Sequence, residues 1–430
     1  MKTTISLLIL TITAAVAEGQ PMKDLDQRAA LIDKKVLEWR RDIHEHPELG
    51  NREFRTAKIV AEHLTRLGIE VRTGVAHTGV VGVLKGGKPG RVVALRADMD
   101  ALPVTESVDV PFASKVRSTY NNQDVGVMHA CGHDTHVAIL MGVAEVLAGM
   151  KANLPGTVKF LFQPAEEGAP AGEEGGAELM IKEGALDKPR PDVVFGLHVT
   201  SRHEVGQIGY KSGSLLAAVD RLEIKVNGRQ THGAAPWLGV DPIVVASQIV
   251  LGLQTVASRQ LDVSLAPSIV TIGMIRGGVR NNIIPDDVEM IGTLRSLDKE
   301  MREQLHLRVR RTVEKIAESA GATADVKIVP GYPITYNDPA LTERMTPTLE
   351  RVAGADRLVT IHPHLGAEDF SFFAEKVPGF FYFLGTRPKG VSAAAAPANH
   401  SPRFFVDESG LGLGVRSLLH LTLDYMNSAK

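Results

Sequence analysis

The chain has 430 residues, of which 44% are hydrophobic and 23% charged, and its formal net charge at pH 7 is −2. This composition is typical of globular proteins and excludes a collagen-like, coiled-coil or wholly disordered chain. The near-neutral charge and an aromatic content of 5% offer no basic surface or stacking platform, so nucleic acid is not expected as a partner. The single cysteine, Cys131, excludes an intramolecular disulfide.

The N-terminus resembles a secretory signal peptide. Lys2 precedes the apolar run Ile5–Val16, and Ala15-Val16-Ala17 forms an A-x-A-like cleavage site. We therefore expect residues 1–17 to be removed and the protein to be exported, periplasmic or secreted, with no membrane attachment after cleavage. The run is shorter than the roughly 20 residues that span a bilayer. The alternative to a signal peptide is a buried N-terminal helix.

The next part of the chain alternates helices and apolar strands. Apolar residues at helical spacing predict a helix over Met22–His46, ended by Pro47, and a second over Glu53–Leu67 that stops at Gly68. Further predicted elements are strands Val92–Ala97, Val158–Phe162 and Val193–Leu197, with a helix over Thr135–Met150. This alternation predicts an α/β domain with a mostly parallel sheet and helices on both faces.

The middle of the chain has a different pattern, with strands that alternate polar and apolar residues. Its predicted elements are strand Arg221–Val226, helix Pro242–Ser258, strands Ser268–Ile275 and Asp287–Leu294, helix Lys299–Ala320 and strand Ala324–Val329. The order β-α-β-β-α-β is the ferredoxin-like arrangement. We therefore expect an inserted α+β domain over residues 213–328. A catalytic domain would be made from residues 18–212 and 329–430, the latter with strand Phe380–Leu384 and helix Gly410–Met426.

Residue types that bind metals follow the apolar strands of the larger domain. Ligands of open α/β sheets bind at the carboxyl ends of the strands, so these side chains should meet at one edge. Cysteine, histidine and carboxylates are the usual ligands of zinc and similar ions. The candidates are Asp98, Asp100, Cys131, His133, Glu166, Glu167, His198 and His400.

The local patterns within this set leave alternatives open. Cys131 and His133 flank one glycine and would reach one ion from a loop, unless they are a buried structural cysteine and a surface histidine. Glu166 and Glu167 would point opposite ways in an extended segment, one to a metal and one to the substrate as general base. Acidic pairs on surface loops are nevertheless common.

Other histidines and polar residues are weaker candidates when each is taken alone. A histidine such as His198 or His400 is more often satisfied structurally than bound to a metal. Three candidates lie in the inserted domain, and they would bind an anionic group of the substrate or need domain closure: His232, Asn282 and Arg295. His44 and His46, at a helix end, are interpreted as structural.

Taken together, the motifs resemble the M20 metallopeptidase family, subfamily D, the amidohydrolases. That group includes hippurate hydrolases, N-acyl amino acid amidohydrolases and plant auxin-conjugate hydrolases. The similar segments occur in the family's order and cover nearly all of the chain after residue 17. They are residues 96–103 (RADMDALP), 129–134 (HACGHD), 163–168 (QPAEEG), 196–198 (GLH), 231–236 (THGAAP), 366–370 (GAEDF) and 399–401 (NHS).

The resemblance implies a metal-dependent exopeptidase-like fold whose inserted domain is a lid and dimer contact. It implies two divalent ions, zinc or manganese with cobalt or nickel as alternatives, bound by Cys131, His133, Glu167, His198 and His400. Cys131 would be the bridge, with His133 and His400 on one ion and Glu167 and His198 on the other. Glu166 would be the general base, and His232 would reach the site of a partner subunit and steady the oxyanion. Asp98 is not expected to be a ligand.

The expected function is hydrolysis of the amide bond of an N-acyl amino acid or short peptide, with Asn282 and Arg295 positioning the substrate carboxylate. A dipeptidase or carboxypeptidase of the same family is the nearest alternative. A cysteine hydrolase using Cys131 with His133 or His129, and a non-catalytic periplasmic binding protein, are the alternatives from other classes.

Overall fold

A computed structural model describes residues 24–428. The expected signal peptide, residues 1–17, therefore lies outside the described residues. Helical residues 24–30 are followed by a turn at residues 31 and 32, which divides the helix expected over Met22–His46. None of the helices within residues 24–428 combines the length and apolar character needed to cross a membrane.

The described strands and helices follow the chain in this order. The strands are β1 (Glu70–Val75), β2 (Gly79–Lys85), β3 (Lys88–Asp98), β4 (Arg117–Tyr120), β5 (Gln123–Gly126), β6 (Pro155–Gln163), β7 (Val193–Glu204), β8 (Ile208–Tyr210), β9 (Gly213–Leu216), β10 (Ala218–Asn227), β11 (Thr231–His232), β12 (Ser268–Gly277), β13 (Ile283–Ile284), β14 (Asp287–Ser296), β15 (Thr323–Pro330), β16 (Thr335–Asn337), β17 (Leu358–Thr360) and β18 (Gly379–Arg387). The α-helices are α1 (Asp33–Glu45), α2 (Phe54–Arg66), α3 (His133–Gly149), α4 (Gly176–Lys182), α5 (Pro242–Thr255), α6 (Lys299–Ser319), α7 (Pro339–Ala353), α8 (Phe370–Ala374) and α9 (Leu411–Asn427).

Eight strands form the larger sheet in the order β1-β2-β6-β3-β7-β18-β8-β17. The four central strands, β6, β3, β7 and β18, are parallel, as their apolar runs predict. Antiparallel pairs flank them, because β2 pairs with β1 and β6, and β8 pairs with β18. The sheet is therefore mixed, with a parallel centre that carries the carboxyl-end edge.

Helices cover both faces of this sheet. Leu95 and Phe160 pack into the largest buried apolar cluster, together with residues of α1, α3 and α9. Their strand neighbours Ala94 and Leu161 point to the opposite face and pack with α4 and α8. The expected α/β architecture with two covered faces is thus confirmed.

The inserted segment forms an antiparallel sheet in the order β12-β14-β10-β15, with α5 and α6 in the connections. This is the expected ferredoxin-like arrangement. Alternate residues of β10, among them Leu222 and Ile224, join Ile249 of α5 and Val309 of α6 in a separate apolar core. The other face of the sheet carries charged residues such as Arg221 and Lys225. We call this unit the lid; its limits, residues 213–328, stay a prediction.

Candidate metal centre

The expected metal ligands lie at the carboxyl edge of the central parallel strands. β3 ends at Asp98, β6 ends at Gln163, and His198 lies within β7. We expected His133 in a loop, but it is the first residue of α3, and the loop ends at Gly132. Gly132 before it has a φ of +93°, and a Cβ atom there would lie 2.4 Å from Cγ2 of Val199. Only glycine therefore fits between Cys131 and the helix.

All five expected ligands meet around Cys131. The Cys131 Sγ atom lies 3.3 Å from Nε2 of His198 and 3.2 Å from Nε2 of His400. The same His400 atom is 2.9 Å from Oε1 of Glu167. His133 completes the cluster, because its ligand atom lies within 4.8 Å of those of Cys131 and His198. Four distant parts of the chain thus place soft and hard donors in one small volume.

The donor atoms group differently from the expected partition. Cys131 belongs to two groups, which agrees with its expected position as a bridge. The first group adds His133 and His198, and the second adds Glu167 and His400. The resemblance had paired His133 with His400 and Glu167 with His198. His133 and His198 share one group because α3 and β7 bring their rings together edge to face, with centroids 5.7 Å apart.

Backbone carbonyls orient two of the histidine ligands. Nδ1 of His133 donates to the carbonyl of Asp100 over 2.8 Å, and Nδ1 of His198 donates to the carbonyl of Val199 over 2.7 Å. In both rings this leaves Nε2 facing the cluster, and Nε2 of His133 is buried with no hydrogen-bond partner among the described residues. Such carbonyl contacts are the usual outer partners of metal-binding histidines. The two rings therefore fit a bound metal.

Glu166 and Glu167 lie in a turn, and the prediction of an extended segment was wrong. The turn begins at Ala165, whose φ of +49° is left-handed, and Gly168 N–H donates to its carbonyl over 3.3 Å. Even so, the carboxylates diverge as expected. Glu166 Oε2 lies 3.9 Å from Nε2 of His133, whereas Glu167 reaches His400.

A buried carboxylate behind this turn was missed at the sequence level. Glu53, at the N-cap of α2, accepts hydrogen bonds from the backbone N–H groups of Ala165 (2.9 Å) and Asn51 (3.1 Å), and from the hydroxyl of Thr78 (2.5 Å). Burial, reinforced by the charge of Asp100, raises the pKa of Glu53 to about 8. Glu53 thus holds the strained residue from which the acidic pair projects.

Acidic groups crowd the cluster and oppose one another's ionisation, which a bound cation would relieve. Burial, with Glu167 and Glu166 close by, raises the pKa of the Cys131 thiol well above its usual range. Burial and then Glu368 raise the pKa of Glu166 in the same way. Against burial, Asp98 and Asp100 raise the pKa of His133 to about 10. Buried charges of this kind are normally paired or bound to metals, so the donor set fits divalent ions.

Asp98 groups with His133 and His136 as potential donors, and each of its oxygens also binds a neighbouring side chain. Nδ1 of His136 donates to Oδ1 over 2.5 Å, and Nη1 of Arg96 donates to Oδ2 over 2.6 Å. Although burial opposes it, Arg96 with His133 and His136 holds the pKa of Asp98 well below its usual range. Arg96 also binds Glu368 (2.8 Å) and Asp369 (2.9 Å), so one buried guanidinium connects three acids behind the centre.

Several of these outer contacts were not predicted. His136 accepts the N–H of Val199 over 2.9 Å, and Asn399 donates to the carbonyls of Cys131 (3.0 Å) and Val199 (3.1 Å). Tyr332 donates to the carbonyl of Glu166 over 2.7 Å. His136 and Asn399 stand beside ligands in the motifs HACGHDTH and NHS, which was a usable signal. Tyr332 had none.

A cavity of about 520 Å³ opens from the donor cluster towards the lid. Arg295 of β14 lines it, as does Tyr332. His232 and Asn282 do not line it, because both are exposed on the β11–β13 ribbon and the turn before β13, where Gly233 N–H donates to the Asn282 carbonyl over 2.9 Å. Of the three candidates in the lid, the fold therefore brings only Arg295 to this chain's own cavity.

The remaining histidine candidates have structural contacts or none. His44 is buried between Asp134 (2.9 Å) and Glu106 (3.1 Å), in keeping with a structural role. Nδ1 of His46 donates to the carbonyl of Asp42 over 2.9 Å. Both nitrogens of buried His129 lack a hydrogen-bond partner within the described chain, and burial lowers its pKa to about 3. This environment does not favour a thiolate–imidazolium pair with Cys131.

Comparisons with known proteins agree with this centre. The model of peptidase family M20/M25/M40 matches residues 94–424. Thermostable carboxypeptidase 2 of Saccharolobus solfataricus is 44% identical over 92% of this chain and 96% of its own, and N-acetylcysteine deacetylase of Bacillus subtilis is 38% identical over 92% and 98%. The crystal structure of the YXEP protein of B. subtilis, a dinuclear metal-binding peptidase of the M20 family, superposes with a TM-score of 0.77 at 35% identity, covering 93% of this chain and 99% of that one.

Proposed function

Because the chain belongs to peptidase family M20/M25/M40 and is a metal-dependent hydrolase of amide bonds, we propose that it cleaves N-acyl amino acids or short peptides with a free carboxylate. The observation that carries this proposal is the convergence of Cys131, His133, Glu167, His198 and His400 beside the carboxylate of Glu166. Arg295 supports the choice of substrate, since a guanidinium binds carboxylates in a bidentate manner.

In the proposed mechanism, Cys131 with His133 and His198 would hold one divalent ion, and Cys131 with Glu167 and His400 the other. Bound there, the ions would supply an activated water and polarise the scissile carbonyl. Softness of the thiolate favours zinc, while imidazole and carboxylate also suit manganese, cobalt or nickel.

Glu166 is the proposed general base. Its Oε2 atom lies beside Nε2 of His133, a proposed ligand, whereas the neighbouring Glu167 contacts His400. It takes the proton of the attacking water and delivers it to the leaving amine. Tyr332 and Glu53 fix the backbone of this turn on either side of the carboxylate. Arg295, and Asn282 where a second subunit supplies it, would orient the carboxylate of the substrate.

His232 is proposed to act in the site of a partner subunit. Its ring is exposed, and Nδ1 accepts the N–H of Ala234 over 2.9 Å, so the proton of the neutral ring resides on Nε2. That N–H is a free donor suited to a developing oxyanion. The proposal requires a homodimer formed through the lid.

Export of the protein after cleavage near Ala17 is likewise a proposal and rests on the sequence pattern alone.

The names of the two relatives suggest different substrates for this chain. The carboxypeptidase suggests a peptide, and the deacetylase suggests an acetyl amino acid. A panel of acetyl- and benzoyl-amino acids and of dipeptides, assayed on protein reconstituted with zinc or manganese, tests the proposal and ranks the two. We expect hydrolysis that a chelator abolishes and the metal restores. Activity that survives chelation but is lost on alkylation would favour the cysteine hydrolase, and binding without hydrolysis would favour the binding protein.

A further inference from the structure

The cavity carries a second cationic side chain that the proposed mechanism does not use. Arg202 lines it together with Arg295. No described residue forms an ion pair with either guanidinium; Arg202 is exposed and Arg295 is half-buried. The acids that line the cavity are Glu166, Glu167 and Glu368, which belong to the metal centre and to the Arg96 network.

The position of Arg202 follows from strand geometry. His198, Thr200 and Arg202 alternate along β7 and share one face, and all three line the cavity. Arg202 lies four positions after His198, the proposed metal ligand, so their backbones are about 13 Å apart along the strand. Arg202 therefore serves the end of the cavity that is distant from the reacting bond.

A neutral histidine holds this guanidinium in place. Nη1 of Arg202 donates to Nδ1 of His364 over 2.5 Å, and His364 also lines the cavity. Burial, and then the charge of Arg202, lowers the pKa of His364 to about 4, so its Nδ1 remains an acceptor at neutral pH. Since an imidazole carries no compensating negative charge, it fixes the direction of the arginine without neutralising it. The remaining N–H groups of Arg202 are available to an anion.

We propose that this end of the cavity is a subsite for a second carboxylate, so that the preferred substrates are N-acyl amino acids carrying two carboxylates. This inference rests on the proposed function, in which Arg295 binds the first carboxylate. The second would be either the side chain of an acidic amino acid or the far end of a dicarboxylic acyl group. Both place an anion beyond the scissile bond, and both would bind the fork of Arg202 through charge-assisted hydrogen bonds.

The test compares substrates that differ by one charge and little in shape. The metal-loaded enzyme is assayed for kcat/KM on N-acetylglutamate against N-acetylglutamine, and on N-succinylglycine against its terminal amide. We expect the acid of one pair to be preferred at least about ten-fold, as loss of a hydrogen bond to a charged group predicts. The pair that shows the preference identifies the side of the substrate that carries the second carboxylate.

Variants tie the preference to the subsite. Arg202→Gln should lower the acid-to-amide ratio about ten-fold, mainly through KM, while Arg202→Lys should retain part of it because the charge stays but the fork is lost. The matched control is Arg190→Gln, since Arg190 is exposed, precedes β7 at its opposite end and donates only to the Lys376 carbonyl. It should leave the ratio unchanged. Arg295→Gln should weaken all four substrates.

Two results would overturn the inference, and they are distinguishable from each other. If the neutral amides are hydrolysed as well as the acids, or if Arg202→Gln leaves the ratio unchanged, the subsite is refuted while the proposed function stands. If metal-loaded wild type hydrolyses none of the four compounds and no other member of the N-acyl amino acid panel, both fail together.

Discussion

The metal side and the lid side of the cavity are built in opposite ways. On the metal side, Cys131 and His133 are buried, and the ligand rings are oriented by backbone carbonyls. On the lid side, Arg295 has no ion pair among the described residues, and His232 and Asn282 lie exposed and outside the cavity. The donor cluster is thus assembled within one chain, whereas under the proposed function His232 and Asn282 would reach substrate only after lid movement or from a second subunit.

The most severe test of the metal side is Glu166→Gln. The amide cannot accept the water proton, so kcat should fall by about 10²–10⁴-fold while bound metal is unchanged, because Glu166 is proposed as the base and is not among the five proposed ligands. Turnover and metal content are measured on the same preparation. The control is Glu174→Gln, an exposed residue paired with Lys182. Undiminished turnover in the Glu166 variant would refute the assignment.

The lid side is tested next by His232→Ala, which should lower kcat by about 10²-fold if Nε2–H stabilises the oxyanion. Mixing this variant with Glu166→Gln sharpens the comparison. In a mixed dimer one site regains both an intact base and a donor from the partner, so an equimolar mixture should recover about a quarter of wild-type activity. If no activity is recovered after subunit exchange, His232 either acts within its own subunit or has no part in the reaction.

A smaller effect is expected behind the acidic turn, at Glu53. Glu53→Ala removes the acceptor that binds Ala165 N–H, and a small displacement of the turn should lower kcat/KM by about ten-fold with metal retained. Glu53→Gln keeps one acceptor oxygen and resembles the protonated acid, the form favoured below its raised pKa of about 8. We expect it to remain close to wild type. Equal losses in both variants would contradict a positioning role.

The smallest effect concerns stability of the lid. Asp220 on β10 accepts hydrogen bonds from His306 (2.5 Å) and Arg302 (3.0 Å) of α6, and against burial these lower its pKa to about 2. A lowered carboxylate pKa stabilises the fold above the usual value near 4 and loses this contribution as the pH falls from 4 to 2. Asp220→Asn should therefore cost about 1–2 kcal/mol at neutral pH, and less in acid.

Thermal unfolding of wild type and Asp220→Asn between pH 7 and pH 3 measures this difference. Glu303→Gln, at an exposed position of the same helix, is the control and should change little at any pH. A destabilisation by Asp220→Asn that grows as the pH falls would have the wrong sign for this interaction.

The sequence predicted best what depends on local pattern. Apolar runs located the central strands, and the motifs near their ends contain the five proposed ligands, which meet because parallel strands end at one edge. The turn at Glu166 was misread as extended because nothing local marks the left-handed conformation of Ala165, whose N–H donates to Glu53 more than a hundred residues away. The grouping of ligands around Cys131 likewise depends on how α3 and β7 approach each other.

Long-range contacts without a local signature could not be predicted. Tyr332 reaches the Glu166 carbonyl from the segment that returns from the lid, and Arg202 meets His364 across 162 positions of sequence. Asp98 shows the same principle, because only the fold reveals that Arg96 and His136 each bind one of its oxygens. Residue type suggests a ligand, but the partners of each atom decide whether it is available.

The most direct test of the account is anomalous diffraction from crystals of the protein loaded with zinc or manganese. We expect two ions in each subunit that share the Cys131 thiolate, one bound by His133 and His198 and the other by Glu167 and His400. Ions that bind elsewhere, or a cluster that takes up none at saturating metal, would contradict it.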